Sequence, residues 1–325
     1  MDNLSASRSF SQFTLWRAQQ VPAAPCVALD TDLILATGTR TSIAQHGELL
    51  QGQIQDHEHR YRRFLVSLPC ARLYSTVTFV PSLGGSLTVE PSHKIKAQRV
   101  VRLTLERFGL PHLGGLITVT GNITEGKGYG SSTADCVAGA LAVADAVGGS
   151  LTEEEVAQLV VAAEIASDNF MFNRVVLFAH REGAVLAELG SRLPKLEVLG
   201  IDTDVTGVVR TLEYPPATYD WRQIQYFQTL VAGVERAIRY RDLALLGRVA
   251  TSSAIINQRF LPKPMFSELC RLAECVNTVG VAVAHSGTVL SMLFDPSDPR
   301  LEINIRQAYL DLETLGIDNV LRFHT

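Results

Sequence analysis

Cysteine is sparse in this chain, and so are net charge and long apolar runs. The five cysteines among 325 residues (Cys26, Cys70, Cys136, Cys270 and Cys275) are scattered and odd in number, with no C-x-x-C pair. That pattern suggests neither a disulfide framework nor a zinc site, and it points to a reducing, cytoplasmic compartment. Charged residues make up 19% of the chain and sum to −4, with a pI near 6.1. There is no basic excess to hold a nucleic acid or an anionic membrane by bulk electrostatics. No apolar stretch approaches the roughly 18 to 20 residues of a membrane span. The opening segment, MDNLSASRSFSQFTLWRAQQ, lacks a secretory apolar core.

What is present suits a folded protein. Hydrophobic residues reach 46%, enough to build a sizeable core and to exclude general disorder. The length fits two ordinary domains or one bilobed enzyme. Residues 1–36 are mixed in polarity and carry VPAAPC, so they read as an N-terminal extension. Strand-like runs follow, RFLVSL (63–68), YSTVTFV (74–80), SLTVE (86–90) and GLITVT (115–120), bounded by Pro or Gly. KIKAQRVVRLTLERFG (94–109) has helical apolar spacing, and SSTADCVAGALAVADAVGG (131–149) predicts a helix of small residues made for close packing. A capping box at Ser150 and Glu153 predicts a further helix to about residue 166. A strand pair is predicted over 173–189, short strands over 196–209, helices over 219–240, 241–258 and 265–279, strands over 281–287 and 288–295, and a last helix over 300–315. The order is that of an α+β chain rather than a βαβ repeat.

The segment richest in chemistry is GKGYGSSTAD (126–135). Gly126, Gly128 and Gly130 free the backbone for positive φ and close approach to a ligand. Ser131, Ser132 and Thr133 then open the long helix. Backbone N–H groups, hydroxyls and a positive helix end together make a cradle for an anion, and Lys127 adds a formal charge as a candidate catalytic group. A plain Gly-rich turn with a Ser cap has the same letters. The spacing is neither that of a Walker loop nor that of a dinucleotide fingerprint.

This segment resembles the phosphate loop of the GHMP kinases, the galactose, homoserine, mevalonate and phosphomevalonate kinase superfamily, whose second motif runs P-x-x-x-G-L-G-S-S-A-A. Thr124 stands for the proline, Tyr129 for the leucine and Thr133 for the first alanine. The SSTAD ending is most similar to the L-threonine kinase branch of the propanediol-utilisation and cobalamin pathways. AQHGELLQG (44–52) resembles that branch's first motif, with Gln45 and His46 in place of Ser and Cys. LPKPMFSELCRLAECVNTVGVAVAHSGTVLSMLFD (261–295) resembles its L-P-K-P … A-H-S-G segment. The resemblance spans about residues 37 to 325.

The resemblance implies a two-lobed α+β fold, with a ribosomal-S5-like ATP-binding N-terminal lobe over 37–195 and a C-terminal α+β lobe over 196–325. It implies Mg·ATP as phosphoryl donor and a small hydroxylated acceptor, L-threonine first, in a cytoplasmic enzyme with a possible homodimer and no nucleic-acid or membrane partner. Gly126, Gly128, Gly130, Ser131, Ser132 and Thr133 would hold the phosphates. Ser132 and Glu164 would ligate Mg²⁺, a hard ion that takes oxygen donors. Asp168, in EIASD where relatives read E-P-T-D, would orient the acceptor hydroxyl, with Ser167 standing in for the threonine. A surface glutamate and an Asx turn are the alternatives for Glu164 and Asp168. Glu48 would pair an ammonium group or make a structural hydrogen bond. His46, Tyr74, Ser75, Ser286 and Gly287 fall in segments that resemble the acceptor wall and the third motif. His285 would donate to a phosphate or hold its loop. Ala179 stands where relatives often carry Asp, which leaves a different hydroxyl acceptor as the rival reading. A catalytically silent nucleotide-binding relative is the third.

Overall fold

The computed structural model describes residues 35–207 and 217–325. Most of the N-terminal extension and the end of the 196–209 segment lie outside them. Two long strands dominate, β1 (Gly38–Gln55) and β2 (Tyr61–Ser82), paired antiparallel around a turn that Asp56 closes. Its Oδ1 accepts from the Glu58 and Arg60 N–H groups, both at 2.9 Å. RFLVSL and YSTVTFV are thus two parts of one strand. β1 has no simple alternation because residues 44–52 are buried on both faces. Register shifts at Ile43/Ala44, Gln45/Glu48 and Glu48/Leu50 bend it there, as bulges do.

The remaining N-terminal elements are β3 (Leu87–Glu90), α1 (Ile95–Arg107), β4 (Gly114–Gly121), α2 (Ser131–Ala146), α3 (Glu153–Glu164), β5 (Val175–Ala179) and β6 (Ala184–Gly190). Val100, Val101 and Leu105 of α1 and the alanines of α2 cover Val77, Phe79 and Ile117 of the sheet. Small residues let α2 lie almost on the backbone of β1. A Cβ on Gly38 would sit 1.9 Å from the Ala142 carbonyl. The capping box of α3 falls two residues later than predicted, at Thr152 and Glu155. Two overlapping S/T-x-x-E words compete there. Glu153 is instead taken by the Asn173 N–H (2.9 Å) and by Arg174.

The C-terminal half adds β7 (Glu197–Asp202), α4 (Trp221–Tyr240), α5 (Leu243–Asn257), α6 (Phe266–Cys275), β8 (Gly280–Val283), β9 (Val289–Phe294), α7 (Leu301–Thr314) and β10 (Val320–His324). The last strand escapes the sequence reading, since five residues at a chain end carry too short a pattern. One sheet runs β10-β7-β9-β8-β1-β2-β4-β3, with the β5–β6 hairpin beside β2. The boundary expected at 195/196 falls in the β6–β7 connection, and β1 meets β8 at the single pair Glu48↔Val283. The fold is α+β, with a joint between its halves at Glu48.

Candidate active site

A cleft of about 560 Å³ opens at that joint. Its walls are the start of α1, the 125–133 loop, the segment after α3, and His180, His285 and Ser286. Gly130 caps α2 at φ 75° with no side chain to bond the first turn, and no acidic residue lies in that turn. The N–H groups of Ser131, Ser132 and Thr133 therefore open on the cleft with the positive helix end behind them. Two glycine loops interleave beneath. A Cβ on Gly128 would lie 2.4 Å from the Ser286 carbonyl, and one on Gly287 would lie 2.2 Å from that of Lys127. Both have positive φ. Gly126 completes the loop's rim, whereas Gly287 supports it from below.

The carboxylates come together beside this helix end. Glu164, the last residue of α3, is 4% exposed. It accepts from the Ser132 hydroxyl and, at 2.6 Å, from the Thr133 hydroxyl. Burial raises its pKa, against the pull of Lys96 and the two hydroxyls. The chain then turns through Ile165 at φ 77°. This is a costly conformation for a β-branched residue. The extra residue of EIASD is absorbed there, and Ser167 and Asp168 come back to the cleft. The Asp168 N–H donates to Thr133 Oγ1 at 3.3 Å, so one threonine ties both acidic residues to the loop. Burial, and then the charge of Glu164, lift the Asp168 carboxyl to about 7. Ser167 is held by its N–H on the His180 carbonyl (2.9 Å), with its hydroxyl on the Asp168 carbonyl.

Behind Asp168 lies a buried polar cluster. Glu48 is 1% exposed, and its carboxyl faces the Ser67 hydroxyl and the Gln45 side chain, which pull its pKa down against burial. Burial, then Asp168, raises the Glu48 carboxyl well above the usual range. His285 is oriented by Gln51. Gln51 Nε2 bonds the Val283 carbonyl (3.2 Å), so its Oε1 accepts from His285 Nδ1 (2.7 Å) and Asn257 Nδ2 (3.0 Å). Burial and Lys263 lower the His285 pKa to about 4. The neutral ring faces that of His180, 5.1 Å away.

Several expected residues lie elsewhere. Lys127 points out of the cleft, and its ammonium spends three N–H bonds on the carbonyls of Asp204, Val205 and Gly207 (2.5, 2.7 and 2.7 Å) beside Asp202. It ties the loop to the end of β7 and has no donor left for a phosphate. Lys127→Met would leave the buried Asp202 carboxylate without its ammonium partner and would release the partly exposed turn whose carbonyls Lys127 holds. A loss of about 3 kcal/mol follows, and with it a thermal midpoint lower by about 5 °C in a melting experiment. His46 is a core residue, fully buried against Tyr129 and Phe323 and bonded to Ser291 (2.8 Å), with its pKa lowered to about 4 by burial. Tyr74 is exposed on β2 and bonded to Asn122. Ser75 is buried under the cleft and donates to Asp135 at 2.5 Å. Ala179 is fully buried in β5, so an Asp missing there is not missing from the cleft. Gln45, Lys94, Lys96 and His180 line the cleft without having been singled out as site residues.

Glu164 and the Ser132 and Thr133 hydroxyls offer oxygen ligands of the kind taken by Mg²⁺, which is usually held by one or two carboxylates and the substrate's phosphates, with the Lys96 ammonium 3.5 Å from the same carboxylate.

The family model "GHMP kinases N terminal domain" matches residues 95–172. The L-threonine kinase of Salmonella typhimurium is 35% identical over 258 residues, 78% of this chain and 81% of that protein. The L-threonine kinase of Citrobacter freundii is 34% identical over 266 residues, 78% and 84% of the two chains. Among solved structures, homoserine kinase from Cytophaga hutchinsonii superposes with a TM-score of 0.65 at 15% identity, over 89% of this chain and 94% of that one.

Proposed function

The chain belongs to the GHMP kinase superfamily, on its L-threonine kinase branch, and from that footing we propose that it transfers the γ-phosphoryl group of ATP to the hydroxyl of L-threonine, giving O-phospho-L-threonine. One observation carries the reading: a helix N-terminus without a side-chain cap, the buried Glu164 and the half-buried Asp168 meet in a single cleft. Phosphoryl transfer needs positioning and charge neutralisation more than covalent help from the protein. Ser131, Ser132 and Thr133 would cradle the phosphates, with Gly126, Gly128 and Gly130 giving the loop its shape. Ser132 and Glu164 would hold Mg²⁺, which when bound neutralises phosphate charge. Asp168 would orient the acceptor hydroxyl and take its proton. Gln45 on the cleft wall, with Glu48 buried behind it, would supply acceptors for an ammonium group. Ser167, His285 and Ser286 would line the acceptor's side.

Of the departures from the family pattern, His46 and Ala179 pack in the core, while EIASD and Gln45 remain at the cleft. No helix among the described residues is long and apolar enough to cross a membrane. Work in the cytoplasm, in supply of a cobalamin-type aminopropanol precursor, is part of the same reading.

The test is ADP release with Mg·ATP over L-threonine, L-serine, L-homoserine and D- and allo-threonine, with the phosphorylated product identified by mass. Turnover on L-threonine at least about tenfold above the rest is expected. This margin matches what a mispaired polar group costs. Turnover confined to another hydroxyl would replace the acceptor, and nucleotide binding without any turnover would replace the kinase reading by a sensor.

A further inference from the structure

We propose that Lys96 is a catalytic residue of the transfer and donates to the γ-phosphoryl group the positive charge that Lys127 withholds. The inference rests on the kinase reading and adds a residue to it. The loop's own lysine is spent on three carbonyls. Among the described residues lining the cleft, the basic side chains apart from His180 and His285 are His93, Lys94 and Lys96. Lys94 is locked between Glu125 (2.6 Å) and Asp135 (2.7 Å), and His93 lies on Glu125 at 3.2 Å. Lys96 differs. Its ammonium touches Ser132 Oγ at 3.1 Å and Glu164 Oε2 at 3.5 Å, and its side chain is 49% exposed. It stands at the mouth of the α2 cradle on a flexible stem.

Two further observations point to a ligand there. Four carboxyls line the cleft, Glu125, Asp135, Glu164 and Asp168, against the two ammonium groups of Lys94 and Lys96. A triphosphate entering such a site needs every mobile cation within reach. Lys96 also breaks a local rule. It lies in the first turn of α1, which has no acidic residue, although a helix N-terminus disfavours cations. A residue that opposes its own helix dipole is retained for something outside the helix.

In the step, the threonine hydroxyl oxygen bonds to the γ-phosphorus, and the bond from that phosphorus to the β,γ-bridging oxygen breaks with its electrons passing to ADP. The hydroxyl proton goes to Asp168. Lys96 stays protonated and donates N–H to a non-bridging γ-oxygen, as an ammonium in a phosphate site does.

The full-length protein as Lys96→Met and Lys96→Arg tests this. Affinities for Mg·ATP and Mg·ADP are measured without acceptor by titration calorimetry, and kcat on L-threonine is measured beside them. Lys96→Met is expected to weaken ATP about tenfold while leaving ADP unchanged, and to lower kcat about 100-fold. Lys96→Arg should recover the ATP preference. Lys96 is half exposed and the buried Glu164 keeps its bonds from the Ser132 and Thr133 hydroxyls, so the thermal midpoint should hold within a few degrees. Equal effects on ATP and ADP, or an unchanged kcat with tighter Mg²⁺ activation, would show that Lys96 merely fills the metal position and would overturn the proposal. A wild-type protein silent on threonine refutes the acceptor reading, while its ATP-to-ADP affinity ratio against Lys96→Met still decides this one.

Discussion

Gly130→Ala is expected to lower kcat by two to three orders of magnitude in a protein that remains folded. Gly130 holds φ 75° as the N-cap of α2, and an added methyl would lie 2.5 Å from Asp168 Oδ2, 2.9 Å from the Phe170 ring and 3.3 Å from Gln45 Cγ. Something must move, and each candidate belongs to the cleft. Either Asp168 rotates off the acceptor hydroxyl or the first turn of α2 withdraws from the phosphates. A displacement near 1 Å costs about 100-fold in such a site, and weakened donors on the transferring group cost a similar factor. The positive φ alone strains alanine by about 1 to 2 kcal/mol. Gly148→Ala isolates that strain, because Gly148 has φ 64° with nothing within 4 Å of an added Cβ. A larger loss of thermal midpoint in Gly130→Ala than in Gly148→Ala, with kcat lost only in Gly130→Ala, is the expected pattern. A Gly130→Ala enzyme with wild-type kcat would mean that the cradle and Asp168 do not act on one substrate.

The Gly-Ser loop is legible in the sequence because its shape is set by the backbone. Glycine at 126, 128 and 130 dictates a conformation locally, and a helix must begin where SSTAD does. Side-chain destinations are another matter. Lys127 sits inside the loop yet bonds carbonyls some eighty positions away, and nothing local says which way it turns. His46 and Ser75 belong to strands buried on both faces or backed by a helix, where period-2 reasoning does not separate a pocket from a core. β1 itself, with its three register shifts, erases the alternation by which strands are found. Lys96 lies 36 positions before Ser132, on a different element. Its one signal was a basic KIK word where a helix start prefers acid. Glu164 and Asp168 were found through a resemblance, since a lone glutamate at a helix end carries no distinguishing mark of its own.

Asp168→Asn is expected to be the most damaging conservative change, with a kcat loss of about 10² to 10⁴, the range supplied by a positioned acid or base. The amide keeps the shape and removes both the charge and the proton-accepting capacity. Asp168 is raised to about 7 by burial and by Glu164. As a base it must be ionised, so wild-type kcat should fall about tenfold per unit of pH below that value. The limb should shift to lower pH as a bound cation neutralises Glu164. The residual activity of Asp168→Asn should lack the limb. Stability gives an independent reading of the same group. A carboxyl whose folded pKa lies above its unfolded value of 3.8 binds more protons in the native state than in the unfolded one between those two values. Its contribution is therefore fully present below about pH 4 and is lost as pH rises through about 7. Asp168→Asn removes that loss, so the ligand-free variant should melt above the wild type at pH 8, with the gap closing toward pH 5. A variant that is inactive and also less stable at pH 8 would have lost its fold rather than its base. A variant that is more stable and inactive places the cost of an ionised Asp168 where the chemistry needs it.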